Sequence, residues 1–169
     1  MMLMAPEIPS IWREEVWHAL SVHLPIATLF LASLTAMVYG VCSSTHRLFL
    51  GKLVMVLLTI GVISGWVAIY TGEIAYSVEV RKICDPKVLQ EHSWWAYATL
   101  FAYSGALGLI MVKFFSPSTF SKFIKFGVLI LLTAALGGLI YTGHLGASLV
   151  YQQGAGTYKP SADCAEFVK

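Results

Sequence analysis

The sequence predicts an all-α fold, a four-helix transmembrane bundle made of two parallel helical-hairpin repeats with both termini outside. Three observations carry that prediction. Of the 169 residues, 57% are hydrophobic and 12% are charged, about half the charged share of an ordinary soluble domain. The apolar residues gather in four runs, roughly 19–41, 53–72, 95–112 and 126–144, close to the ~20 residues a helix needs to cross a bilayer. Charge is distributed asymmetrically between the connections. Arg47 and Lys52 occupy the first, Lys113, Lys122 and Lys125 the third, and all nine acids fall elsewhere. The positive-inside bias therefore predicts a cytoplasmic first and third connection. The termini and the middle connection then face the outside, the periplasm of a bacterium with an inner membrane.

One membrane domain, 18–149, is expected, with an interfacial segment at 1–17, a middle loop at 74–91 and an outer-face tail at 150–169. The start has no basic cluster ahead of an apolar run, so the first helix is expected to remain as an anchor. Pro9-Ser10 reads as a helix start, and Trp12 and Trp17 suit an aromatic belt. Helix one carries His18 and His23. Five residues are about 140° and 7.5 Å apart along a helix, so the two cannot serve one metal ion unless the helix is distorted. Pro25 offers some distortion by removing the bond to the Ser21 carbonyl. The simpler expectation turns His23 into the bundle and leaves His18 nearer the surface.

The stretch 43–47 reads as a turn, with His46 solvated on the cytoplasmic side. Helix two holds Gly61 and Gly65 at a spacing that admits a close helix or clears room for a flat cofactor, and Glu73 closes it at the outer rim. In the middle loop Asp85-Pro86 reads as the start of a short helix leading to His92. Helix three opens with His92-Ser93-Trp94-Trp95. The stretch 114–118 reads as a turn. Helix four holds Gly137, Gly138, Gly143, His144 and Gly146. Its glycine-rich tail is expected to lie extended over the outer face. Cys84 and Cys164 both fall outside, where a disulfide can persist, and two unrelated thiols fit equally well.

The halves echo each other. Leu57-Leu58-Thr59 matches Leu131-Leu132-Thr133, Ile69-Tyr70-Thr71-Gly72 matches Ile140-Tyr141-Thr142-Gly143, and His23 is paired with His92 as the leading histidine of its half.

His18, His23, His92 and His144 all map to the outer half of the bundle. Polar groups inside a membrane are costly and usually functional. Two imidazoles on different helices could bind haem iron from both faces, with Gly65, Gly143 and Gly146 clearing space for the macrocycle. Arg13, Arg81, Lys82, Tyr70 and Tyr141 lie at the depth of the propionates. His23 with His92 is one axial pair, and His144 with either is the competing pair. With His18 included, a second haem becomes conceivable in a bundle small for two. A nonhaem metal, with Glu73 as an oxygen ligand, is the other solution. No Cys-x-x-Cys-His, Walker loop or serine-hydrolase elbow is present. With a net charge of +2 and basic residues that flank membrane helices, nothing points to nucleic acid.

The stretch 18–27, with two histidines five apart followed by Leu24-Pro25, resembles the opening motif of the small bacterial membrane proteins catalogued as domain of unknown function 2231. His92 matches the histidine that opens their third helix. Thr142-Gly143-His144-Leu145-Gly146-Ala147, then Leu149-Val150-Tyr151 and Gly154, resembles their closing signature. The resemblance covers about 17–156. Ala147 stands where a second glycine is common, and Gln152-Gln153 where some relatives carry a histidine. Members are often encoded with or joined to c-type cytochrome modules, which implies redox work and favours haem b. The expected function is a membrane b-type cytochrome passing electrons between a quinol pool or partner subunit and an outer-face c-type cytochrome. The alternatives are a nonenzymatic accessory subunit of a respiratory complex, its histidines idle or hydrogen-bonded to quinone, and a nonhaem metal protein.

Overall fold

The computed structural model describes residues 10–115 and 122–157. The described residues form five helices: α1 (Glu14–Ser21), α2 (His23–Val41), α3 (Ser44–Glu79), α4 (Pro86–Phe115) and α5 (Lys122–Tyr151). They make four rods, because α1 and α2 continue one another through Val22 in a helical conformation. Each rod is long and apolar enough to cross a membrane: Glu14–Val41, Thr45–Glu79, Pro86–Val112 and Ile124–Tyr151.

The rods run beyond the apolar segments. Of the start expected at Pro9-Ser10, Pro9 lies outside the described residues and Ser10 precedes a turn in which the Trp12 amide donates to Ser10 Oγ at 3.1 Å. The helix begins at Glu14, with Glu14 and Glu15 in its first turn, where acids suit the positive end of the helix dipole. The expected turn at 43–47 contracts to Cys42-Ser43, and Arg47 Nε donates to the Cys42 carbonyl at 3.2 Å. The expected loop at 74–91 is mostly helical. No glycine or proline stops α3 between Ile74 and Glu79, so only 80–85 connects it to α4. Asp85-Pro86 starts α4 itself rather than a short separate helix. The Lys87 amide donates to Asp85 Oδ1 at 3.0 Å, and proline in the first turn lacks only an amide that had no partner there. Of the expected turn at 114–118, Phe114 and Phe115 are the last residues of α4, while 116–118, Cys164 and the tail beyond Thr157 lie outside the described residues, so the Cys84–Cys164 pairing does too.

The rods form a ring. α3 packs along α1 and α2, α4 along α5, and the halves meet through α3 with α4 and α2 with α5. The centre is one apolar cluster that includes Leu29, Ala32, Val54, Leu58, Tyr103, Ala106, Val128 and Leu132. A shift of 74 residues carries the first four onto the last four. The same shift carries the buried Val62 to the buried Leu136. It also carries the Thr59 hydroxyl, which donates to the Met55 carbonyl, to Thr133, which donates to Leu129. The halves are thus related by a pseudo-twofold axis along the bundle. Leu57-Leu58-Thr59 holds this register.

Apolar residues also cover the outside. Leu24, Phe30, Leu31, Val56, Ile63, Phe101 and Ile130 are all exposed, as a lipid-facing surface requires. Many hydroxyls on the helices donate to a carbonyl of the preceding turn, among them Thr28 to Leu24, Thr35 to Leu31 and Ser64 to Ile60, whereas Thr99 Oγ1 and Ser104 Oγ in α4 are buried without a partner among the described residues. The bonds to the preceding turn satisfy the hydroxyls that make them where no water is available.

Candidate functional site

The half of the ring that holds α1 and the 80–85 connection encloses a cavity of about 690 Å³ lined from all four rods, within the ~300–1,000 Å³ usual for ligand and cofactor sites. His18 from α1 and His92 from α4 face each other across it. Their ring centroids lie 6.3 Å apart and their planes cross at 80°. His18 Nδ1 lies 3.0 Å from the Ala68 carbonyl oxygen, and His92 Nδ1 lies 3.1 Å from that of Thr142. A carbonyl only accepts, so both Nδ1 atoms carry the proton, and in the neutral ring Nε2 holds the lone pair. Neither Nε2 has a hydrogen-bond partner among the described residues.

The local sequence builds this twice. The 74-residue shift carries His18 to His92, Ala68 to Thr142 and Gly72 to Gly146. A Cβ on Gly72 would meet His18 Cε1 at 3.1 Å, and one on Gly146 would meet His92 Cε1 at 3.3 Å. Each glycine lets an imidazole lie close against the return helix of its own hairpin. Ser21 Oγ and Thr71 Oγ1, 2.7 Å apart, fasten α1 to α3 one turn below His18.

The end of the cavity nearest the 80–85 connection is roofed by paired charge. Glu15 and Glu79, both with nearly buried side chains, sit 3.7 and 2.9 Å from Lys82 Nζ, and Arg13 is 3.2 Å from Glu15. The chain after α5 closes the roof. Gly154 and Gly156 adopt φ of 71° and 68°, a region glycine enters without strain. The Gly156 amide then donates to Glu79 Oε2 at 3.0 Å, and Arg13 Nη2 donates to its carbonyl at 3.4 Å. The part of the tail described here is therefore curled rather than extended.

The sequence candidates divide. His18 and His92 converge, whereas the expectation had paired His23 with His92 and left His18 nearer the surface. His23 lines the cavity but is exposed. Its direction differs from that of His18 by the rotation of five helical residues, and the packing of α1 on α3 turns His18 inward. His144 is exposed, absent from the cavity wall and stacked on Tyr141. Gly65 lines the cavity, but the space of its missing side chain is filled by Leu100, whose Cδ1 would be 2.6 Å from a Cβ there. Gly143 lines it with open space. Lys82 is bound into the roof, and Arg81 is exposed away from the cavity wall. Glu73 accepts from Tyr97 OH at 3.3 Å. Among the described residues no three His, Cys, Asp or Glu side chains converge as a metal would need.

Sequence reasoning missed Gly72 as the partner of Gly146 and Glu15 and Glu79 as roof carboxylates. The signal for the first was the Leu-Leu-Thr echo, whose 74-residue register also pairs His18 with His92.

Fold and cavity together define a four-helix membrane protein with a twofold histidine-lined site near one face. The chain belongs to the family described as predicted membrane protein, domain of unknown function 2231, whose model matches residues 16–159. No curated protein and no solved structure matches the chain.

Proposed function

We propose that the protein is a membrane b-type cytochrome whose haem is held between His18 and His92. The facing histidine pair carries the reading. Two neutral imidazoles on facing rods, 6.3 Å apart between ring centroids and each held at Nδ1 by a carbonyl, could hold a haem iron through their free Nε2 atoms. Haem needs only two protein ligands, so the pair suffices for it without a third converging side chain. Such a group supplies one-electron transfer at a potential set by its ligands and surroundings.

The chain's own residues have definable tasks. The Ala68 and Thr142 carbonyls hold the Nδ1 protons and so fix the tautomer and orientation of both rings. Gly72 and Gly146 admit the rings, and the apolar wall and charged roof exclude water. On the charge asymmetry of the connections, the roof faces the periplasm across a bacterial inner membrane. Electrons then pass between a quinol pool or a partner subunit of a respiratory complex and an outer-face c-type cytochrome.

A reduced-minus-oxidised spectrum of the detergent-purified protein, with pyridine haemochrome quantification, tests this. Sharp b-type bands at one haem per chain are expected. They should be lost in His18→Ala and His92→Ala and retained in His144→Ala. A featureless spectrum from fully assembled native material would sink the reading in favour of an accessory subunit.

A further inference from the structure

We infer that the site takes a second ligand from the bilayer: a membrane-dissolved benzoquinone or its hydroquinone, admitted through a lateral slot between α1–α2 and α5 and hydrogen-bonded to His23. The other three gaps between rods are bridged at this depth. His18 with Ala68 and Ser21 with Thr71 join α1 to α3. His92 with Thr142 and Tyr141 with Glu91 join α4 to α5. Tyr97 with Glu73 joins α3 to α4. Between α1–α2 and α5 no hydrogen bond or ion pair occurs among the described residues.

Six of the cavity-lining residues that are also exposed stand on the lips of this fourth gap, while Glu73 stands at the α3–α4 gap that Tyr97 bridges, and Tyr151, Gly156 and Thr157 belong to the end of α5 and the chain after it. Ala19, His23 and Ile26 stand on one lip, and Gly143, Ala147 and Val150 on the other. A solute from water meets the roof of Glu15, Glu79, Arg13 and Lys82. A solute in the bilayer meets apolar lips with one imidazole among them. His23 has no hydrogen-bond partner among the described residues and can accept from a hydroxyl or donate to a quinone oxygen. The combination suits a lipid-soluble molecule with an apolar body and a small hydrogen-bonding head. The choice of a redox-active head rests on the electron-transfer reading, while the slot and His23 do not.

The test is a titration of the purified protein in nanodiscs with a decyl-substituted benzoquinone, read by quenching of tryptophan fluorescence. Haem spectra are recorded on the same samples. Three variants accompany the wild type: His23→Ala, Gly143→Leu to narrow the slot, and Gly127→Leu. A Cβ at Gly143 or Gly127 meets nothing within 4 Å, so both leucine variants should fold, and Gly127 lies away from the cavity. Saturable binding is expected to weaken at least tenfold in His23→Ala and Gly143→Leu and to persist in Gly127→Leu. Unsaturable quenching, or equal binding in all four proteins, overturns the inference. Normal haem without saturable binding overturns it alone. Binding that depends on His23 in a protein without haem supports it and removes the cytochrome reading.

Discussion

At Gly72 and Gly146 the absent side chain decides how close an imidazole can come to the helix behind it. A methyl group at Gly146 would stand 3.3 Å from His92 Cε1, tighter than ordinary van der Waals contact, and the ring would have to yield by a few tenths of an ångström. That motion also stretches the 3.1 Å bond from Nδ1 to the Thr142 carbonyl. On the cytochrome reading, Gly146→Ala is therefore expected to keep haem but shift its midpoint potential, since the second partner of a ligating histidine tunes the metal. Gly146→Val is expected to lower haem content several-fold. Redox titration and haemochrome quantification read the two effects, and a potential unchanged in Gly146→Ala would argue against His92 as a ligand.

Between elements, the one buried side-chain hydrogen bond across the bundle diagonal joins α2 to α4 among the described residues. Ser33 Oγ donates to the Leu29 carbonyl at 3.0 Å and receives Tyr103 OH at 2.9 Å. Both side chains are fully buried. The two deletions are not equivalent. Tyr103→Phe leaves Ser33 satisfied and is expected to cost about 0.6 kcal/mol, the average for interhelical bonds in membranes. Ser33→Ala strands a buried phenol hydroxyl and is expected to cost about 1–3 kcal/mol. Unfolding of the two variants in detergent should rank them in that order. The helices themselves were legible, because hydropathy alone marks a membrane span. Their ends were not, since α3 continues past Gly72 on polar residues that hydropathy reads as loop. The register of the halves was misread for a related reason. The Ile-Tyr-Thr-Gly copies lie three residues off the structural shift, nearly a full helical turn, so they fall on almost the same face. The inward histidine of the first half was hidden because rotation of a uniformly apolar rod is set by its neighbours, here Ser21 against Thr71.

For the molecule as a whole, the roof, the histidine pair and an aromatic fringe share one end. Trp12, Trp17, Trp94, Tyr70 and Tyr151 are all exposed there, as at a membrane–water interface. Cys84 lies at this end and Cys42 at the other. With the roof in the periplasm, a membrane-impermeant maleimide should label Cys84 in cells with a permeabilised outer membrane and reach Cys42 only after the inner membrane is opened. The reverse pattern would invert the proposed direction of electron exit.

The 74-residue shift has one more consequence. Each hairpin carries a complete half-site, consisting of a histidine, the carbonyl that anchors it and the glycine that admits it, and neither half can sandwich a ligand by itself. The molecule is in effect a homodimer fused into a single chain through residues 80–85. Fusion frees the halves to diverge. Position 23 is histidine in one and the matching position 97 is tyrosine in the other, so a site symmetric at its centre can present different chemistry at its two edges.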